Sequence, residues 1–390
     1  MINVLAVADF FLPGFKAGGP VRTLLNMSKI LHDSVVFGFV TRDHDLGESE
    51  RYDGVQVGRW AEYPYGKVYY SRAGAFGRTA VEQALSTSHF DVIYLNSFFS
   101  FRGSIAISLR NWRRSFHQPI LLAPRGEFST GALALKSGRK RFFIRLSRLL
   151  GVYRQIYWHA SSEVERKDIL QNFPQAAPRI FVAADPVERN VEPVIKSTQK
   201  EPGHVRLVFV SRISPMKNIA GLLEILSGVN CKVSLDIYGP IEDPEYWEQC
   251  RLKMSALPDN IEVKYLGQLT PSQVSRAFSE GDLFAFPTHG ENFGHVIFEA
   301  LNASCPVLVS DQTPWQPDET SALTRLPLEA VSSWRQCIES VARLSAADQE
   351  ERRTHARRYA QRYAASGTAL RDNLQMFEQV ARRVQKELSI

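Results

Sequence analysis

Long apolar runs are missing from this 390-residue chain: the best candidates, Ile2–Ala8 and Val35–Val40, are strand-length, well short of the roughly eighteen residues of a membrane span. No cationic stretch precedes the first run and Asp9 interrupts it, so a secretory leader is not expected. Cysteine is scarce. The four present, Cys231, Cys250, Cys305 and Cys337, show no C-x-x-C spacing, which predicts reduced thiols in a cytoplasmic protein with neither a disulfide framework nor a structural zinc. Neither G-x-G-x-x-G nor G-x-x-x-x-G-K-[ST] occurs, so ordinary NAD and ATP binding lose their main support. His159, His289 and His295 fit no H-E-x-x-H or similar spacing, and Asp43-His44-Asp45 is a D-x-D too short to outweigh chance. No metal and no cofactor are expected. Short-period repeats and low-complexity tracts are absent as well.

What is present is ordinary for a globular chain, with 44% hydrophobic and 23% charged residues, and the length is best divided between two domains. The formal charge of +6 is uneven. Residues 1–190 hold 25 Lys/Arg against 16 Asp/Glu, net +9, and residues 191–390 hold 22 against 25, net −3. A polyanionic partner or a membrane surface is therefore expected for the first half.

Strand-like runs at Ile2–Ala8, Val35–Val40, Asp91–Leu95 and Pro119–Ala123 alternate with helical patterns such as the one from Val21. This alternation predicts parallel βαβ units. A polar stretch at Ser197–Gly203 interrupts it, and the pattern restarts with a strand at Arg206–Ser211. Helices are predicted near Ile219–Leu226 and Pro244–Ala256, after Pro271 and from about Gly294, with strands at Lys232–Tyr238, Ile261–Leu266, Leu283–Pro287 and Pro306–Ser310. Beyond Ala346 the composition predicts one or two terminal helices. The expected architecture is α/β: two Rossmann-like doubly wound domains, 1–195 and 204–365, facing across a cleft, with 366–390 as a helix packing back toward the first.

Three segments carry candidate chemistry. Gly18-Gly19-Pro20, between the first strand and helix, suits close backbone approach to a phosphate or sugar, or simply makes a turn. Arg212 stands at a strand's carboxyl end and Lys217 shortly before the next helix, where two cations suit a diphosphate or are solvated surface charges. The sharpest is the segment from Pro287 to Leu301, with Glu291 in a glycine-flanked loop and Glu299 in the first turns of a helix whose apolar face is Val296, Ile297, Ala300 and Leu301. Read alone, Glu299 also fits an acid stabilised by the helix dipole.

Glu291 and Glu299 form an E-x7-E pair inside GENFGHVIFEAL, between VFVSRISPMKN and PVLVSDQTPW. With APRGEFSTGALALKSGRKR, HASSEVE and the Gly18-Gly19 loop, this order resembles the retaining nucleotide-sugar glycosyltransferases of family 4, in particular the branch that builds bacterial cell-surface polysaccharides. The resemblance spans about residues 4–315. It implies the GT-B fold with the donor held mainly by the second domain. Arg212 and Lys217 match the diphosphate clamp, Glu291 the acid at the transferred sugar, and Glu299 the residue that bonds the ribose. Asn292, Phe293 and Gly294 match a loop offering amides to sugar and phosphates, and Gly239, Gln268 and Leu269 match positions that frame the base. Arg125 lies where many members carry a sugar-contacting histidine, so Arg125 and Glu127 are candidate sugar or acceptor contacts.

The resemblance thus implies a metal-independent, retaining hexosyltransferase that passes sugar from a nucleotide donor to a lipid-linked glycan of O-antigen, capsule or exopolysaccharide. Residues 131–154 add Lys136, Arg139, Lys140, Arg141, Arg145, Arg148 and Arg154 with no acid, interleaved with Phe142, Phe143, Ile144, Leu146, Leu149 and Leu150. Such a segment either lies on an anionic bilayer, at the inner face of the plasma membrane, or packs its apolar side into the first domain. The one-sided charge favours the bilayer. No nucleic-acid motif accompanies it. Two alternatives stand beside the enzyme: a non-catalytic, membrane-associated sugar-nucleotide-binding or assembly protein of the same fold, and a phosphorylase-like enzyme, for whose pyridoxal phosphate no site is evident.

Overall fold

Strand β1 (Ile2–Val7) sends alternate side chains to opposite faces, as the period of two requires. Leu5 and Val7 enter one core cluster, Val4 and Ala6 the other, and all four are fully buried. Burial on both faces is the mark of a parallel sheet covered by helices. The computed structural model describes residues 1–72, 74–113, 116–134, 137–188 and 200–387, and these divide into two units, Met1–Glu188 with Gly367–Ile390, and Arg189–Ser366.

The first unit adds β2 (Val35–Arg42), β3 (Trp60–Tyr63), β4 (Gly66–Ser71), β5 (Val92–Asn96), β6 (Ile120–Ala123), β7 (Tyr157–Ala160) and β8 (Ile180–Val182). Their order is β3-β4-β2-β1-β5-β6-β7-β8. Every described pairing is parallel except that of β3 with β4. Helices α1 (Gly19–Ile30), α2 (Arg78–Thr87), α3 (Ala106–Trp112), α4 (Thr130–Ala134), α5 (Ser137–Leu149) and α6 (Glu163–Asn172) complete the crossovers.

The second unit contains β9 (His204–Val210), β10 (Lys232–Tyr238), β11 (Ile261–Tyr265), β12 (Leu283–Phe286), β13 (Val307–Ser310) and β14 (Leu323–Leu326), with α7 (Ile219–Leu226), α8 (Pro244–Ser255), α9 (Pro271–Glu280), α10 (His295–Asn302), α11 (Val331–Ala342) and α12 (Ala346–Ala365). Its parallel strands run β11-β10-β9-β12-β13-β14, the doubly wound dinucleotide-fold order, which reverses between β9 and β12. Local chemistry starts the helices where they are needed. Pro244 and Pro271 occupy first-turn positions, where the missing N–H is harmless, and Asp243 Oδ1 accepts from the Tyr246 N–H at 2.9 Å.

The last helix, α13 (Thr368–Glu387), belongs to the first unit, where Met376, Phe377 and Val380 are buried in its core. Phe377 meets the rings of Phe37 and Tyr94 edge-on at centroid distances of 5.7 and 5.4 Å. Strands β3, β4, β7, β8 and β14 have no counterpart in the sequence reading. They are three to six residues long; β3, β4, β7 and β14 mix Tyr, Trp, His or Thr with other residues, and β8 is only Ile-Phe-Val, so no long apolar run announces them.

β7 shows how a polar side chain is accommodated in a buried strand. His159 is 1% exposed, and its Nε2 donates to the Ala183 carbonyl at 2.8 Å, leaving Nδ1 to accept from the Tyr94 hydroxyl at 2.6 Å. Burial, assisted by the nearby Arg125 cation, pushes His159 down to about 4. The unfolded chain therefore binds this proton more tightly between about pH 6.5 and 4, and stability falls on acidification through that window. Urea denaturation is expected to find the wild type roughly 2 kcal/mol less stable at pH 5 than at pH 7 from this group, a difference that His159→Gln should remove. Phe377→Ala should cost about 3–5 kcal/mol, read as a lowered denaturation midpoint of the first unit.

Candidate active site

The order reversal in the second unit places the loops after β9 and β12 side by side at the carboxyl edge of the sheet, where open α/β sheets bind ligands. After β9 the chain passes Arg212 and buried Ile213, makes a short turn at Pro215–Lys217, and reaches Asn218 in the left-handed region at φ 57°. Asn218 serves both loops. Its Oδ1 caps α7 by accepting from the Gly221 N–H at 3.1 Å, and its Nδ2 donates to the Pro287 carbonyl beyond β12 at 2.8 Å. The Met216 carbonyl adds two further stitches, accepting from the His289 N–H at 2.9 Å and the Thr288 hydroxyl at 3.0 Å.

These stitches fix the approach of the two central side chains. The Lys217 ammonium donates to Glu291 Oε1, with side chains only 14% and 11% exposed, and Lys217 Nζ lies 5.7 Å from the centre of the Phe286 ring. The Glu291 loop is held from beneath by the segment after β13. The Glu291 N–H donates to the Gln312 carbonyl at 3.1 Å, and Trp315 Nε1 donates to the Phe293 carbonyl at 2.5 Å. Gly294 then adopts φ +80°, and α10 starts at His295. The first-turn amides of α10 therefore follow directly on Glu291, at the helix end whose dipole favours an anion.

Other sequence candidates in this unit are placed as follows. Arg212 is 38% exposed and pairs with Glu242 at 2.7 Å. Glu299, half-buried, lies in the middle of α10, while Asn292 is half-buried and Phe293 buried. The buried residues of α10 are His295, Ile297, Phe298, Ala300 and Leu301. This corrects the expected apolar face: Val296 is only half-buried, and His295, whose ring meets Phe293 at 4.7 Å, is buried beside it. Gly239 follows β10 at φ +137°, where a Cβ would lie 1.8 Å from the Ser211 carbonyl oxygen, so only glycine fits. Its N–H donates to the Gly267 carbonyl at 2.8 Å, and Gln268, exposed, and Leu269, half-buried, come next after β11.

In the first unit, Gly18 at φ +70° caps α1, which begins at Gly19. Arg125, in the left-handed region at φ 57°, is buried: its guanidinium donates to Asp185 Oδ1 at 2.5 Å, to Asn96 Oδ1 at 2.8 Å and to the Tyr94 hydroxyl at 2.6 Å. Asp185 also accepts from the Thr23 hydroxyl at 3.0 Å. Glu127 accepts from the Ser97 hydroxyl at 2.8 Å and from the N–H groups of Phe98 and Phe99 at 2.5 and 2.9 Å. Burial outweighs these bonds and moves its carboxyl above the ordinary range. Both side chains thus make internal contacts that shape the loops after β5 and β6. Asp45 of the D-x-D similarly accepts from the Phe15 and Lys16 N–H groups at 2.9 and 3.2 Å, and Asp43 pairs with Arg51 at 3.0 Å.

Sequence reasoning missed Glu242, Asn218 and Trp315 as parts of the site. Asn218 had a visible signal, standing directly before an apolar helix. The partners of the other two lie 30 and 22 residues away in sequence. Among the described residues no three His, Cys, Asp or Glu side chains converge as a metal-binding group, and no helix is long and apolar enough to cross a membrane.

Residues 191–363 match the family model for Glycosyl transferases group 1. The sulfoquinovosyl transferase SQD2 of Arabidopsis thaliana is 28% identical over 126 residues, 32% of this chain and 23% of that protein. The phosphatidyl-myo-inositol mannosyltransferase of Mycobacterium leprae is 27% identical over 269 residues, 66% of this chain and 65% of that protein. The chain spans less than two thirds of the length of either relative. The crystal structure of Anabaena HepE in complex with UDP and glucose shares the fold, with a TM-score of 0.63 at 16% identity over 100% of both chains. The chain therefore has the GT-B fold of two Rossmann-like α/β domains, and the segment that matches the glycosyl transferases group 1 model is the one that holds Lys217 and Glu291.

Proposed function

We infer that this protein is a retaining, metal-independent glycosyltransferase, moving a sugar from a nucleotide-sugar donor to a hydroxyl of a lipid-linked glycan in surface polysaccharide synthesis. The observation that carries this reading is the part-buried contact of Lys217 with Glu291 across the strand-order reversal, immediately ahead of the amino end of α10. An ion pair so placed adds little stability over an apolar pair of similar volume. It does supply a cation for phosphate and a carboxylate for sugar hydroxyls at one point.

The chemistry follows from the charges. As the acceptor oxygen bonds to the anomeric carbon, the bond from that carbon to the phosphate oxygen breaks, and the acceptor proton passes to the departing phosphate. Negative charge grows on the nucleoside diphosphate. Lys217, Arg212 and the α10 amides lie where fixed positive potential stabilises it without reorganisation. Glu291 holds the sugar and Glu299 the ribose. The UDP bound by HepE makes UDP-sugars the first donors to assay, and the name of the mycobacterial relative, a phosphatidyl-myo-inositol mannosyltransferase, supports a lipid acceptor.

Glu291→Gln keeps the shape and the bond to Lys217 while removing the charge, and is expected to lower kcat by on the order of a hundredfold with the thermal midpoint nearly unchanged. Lys217→Gln should weaken binding of the nucleoside diphosphate as well as turnover, and EDTA should leave the wild-type rate unaltered. Near-normal turnover in Glu291→Gln would sink the assignment. Trp315→Phe, which preserves the ring but not its N–H, should reduce kcat by roughly tenfold through loss of loop orientation.

A further inference from the structure

Helix α5 has two apolar faces, and only one of them is used in packing. Inward, Ile144 is 4% exposed, Ser147 is buried, and Phe143 meets the rings of Phe98 and Phe99 at 5.7 and 6.5 Å. Lys140 turns inward as well, donating to the Ala132 carbonyl at 2.7 Å and lying 5.0 Å from the centre of the Phe99 ring. The opposite face carries Phe142, Leu146 and Leu149, spaced as one stripe by the helical period, with exposures of 67%, 41% and 83%. Leu150 extends the stripe.

Cations flank that stripe and differ from several on the other helices. Arg141, Arg145 and Arg148 form a parallel row on one side, and Arg139 lies on the other, all exposed. None of the four has a carboxylate partner among the described residues. Several exposed helical arginines elsewhere meet an acid within one turn, as in Arg78–Glu82, Arg276–Glu280 and Arg382–Glu378. The contrast is written into the chain: residues 101–154 contain twelve Lys and Arg and one acid, Glu127, and Glu127 is committed to internal hydrogen bonds. The same stretch holds seven of the thirteen large exposed hydrophobic side chains among the described residues.

We propose that the outer face of α5 docks on an anionic lipid surface, Phe142, Leu146 and Leu149 entering the acyl boundary while Arg139, Arg141, Arg145 and Arg148 meet lipid phosphates. A helix of this length, about 20 Å, lies flat in the interface, and the arginine stems follow the apolar layer while their guanidinium groups stay at headgroup level. The surface goes beyond the catalytic reading and does not depend on it. Charge complementarity selects the occupant: an apolar stripe bordered by unpaired cations matches a surface that is apolar beneath and anionic above.

The test is co-sedimentation of the full chain with vesicles of phosphatidylcholine alone or with about 30% phosphatidylglycerol, without sugar donor. Partition is expected only with the anionic vesicles, and the triple variant Arg141→Gln/Arg145→Gln/Arg148→Gln should weaken it on the order of a hundredfold. The triple variant Phe142→Ser/Leu146→Ser/Leu149→Ser should weaken it by at least about tenfold. Both sets of residues are exposed, so far-ultraviolet circular dichroism should match the wild type. Equal partition to both vesicles, or none, overturns the proposal on the wild-type protein alone. Loss on removing the arginines but not the apolar residues also overturns it, and points to a soluble polyanion.

Discussion

The contact between Lys217 and Glu291 depends on the order of the strands. Their parent strands, β9 and β12, are separated in sequence by three crossovers, and they become neighbours only because the second sheet grows first to one side of β9 and then to the other. Parallel pairing gives both strands the same direction, so both loops leave from the same edge. Bonds from Asn218, Thr288 and His289 then close the gap between the loops. Charge placement here is thus a result of backbone topology, and the side chains need only the right length to exploit it.

A similar division of labour operates in the first unit, with a different outcome. The loops after β5 and β6 also leave beside a reversal of strand order, at β1 and β5. There Arg125, Asp185, Tyr94 and His159 form a buried network whose polar atoms satisfy one another. Burial raises the tyrosine hydroxyl far above its ordinary value and lowers the histidine. Both stay neutral, leaving the arginine and the aspartate as the charged pair, a combination that a low-dielectric interior tolerates when every partner is bonded.

How much of this was legible in the chain depends on range. Strands β9, β10 and β12, and the segment from Glu291 to Leu301, announce themselves through contiguous residues whose meaning is local: apolar runs, a glycine before a helix, acids at fixed spacing. Glu242 beside Arg212, Trp315 beneath Phe293, and Arg125 against Asp185 do not, because each pair is made by tertiary packing across 22 to 60 residues. The phase of α10 was misjudged for a related reason. Gly294 enters the helix from the left-handed region and so sets which side chains face inward, bringing in His295 and Phe298 at the expense of Val296. The short strands β7 and β8 escaped because their stability rests on cross-sheet partners.

The assignment of α13 to the first unit has a consequence for biosynthesis. Because Met376, Phe377 and Val380 belong to a core otherwise built from the first half of the chain, the entire second unit is an insertion within the first. During synthesis the second unit emerges whole and can fold as soon as it clears the ribosome, whereas the first must wait with an uncovered apolar sheet face until the final helix is made. The order of translation is therefore the reverse of the order of completion, and the unit made earliest is the one exposed longest to aggregation and to chaperones.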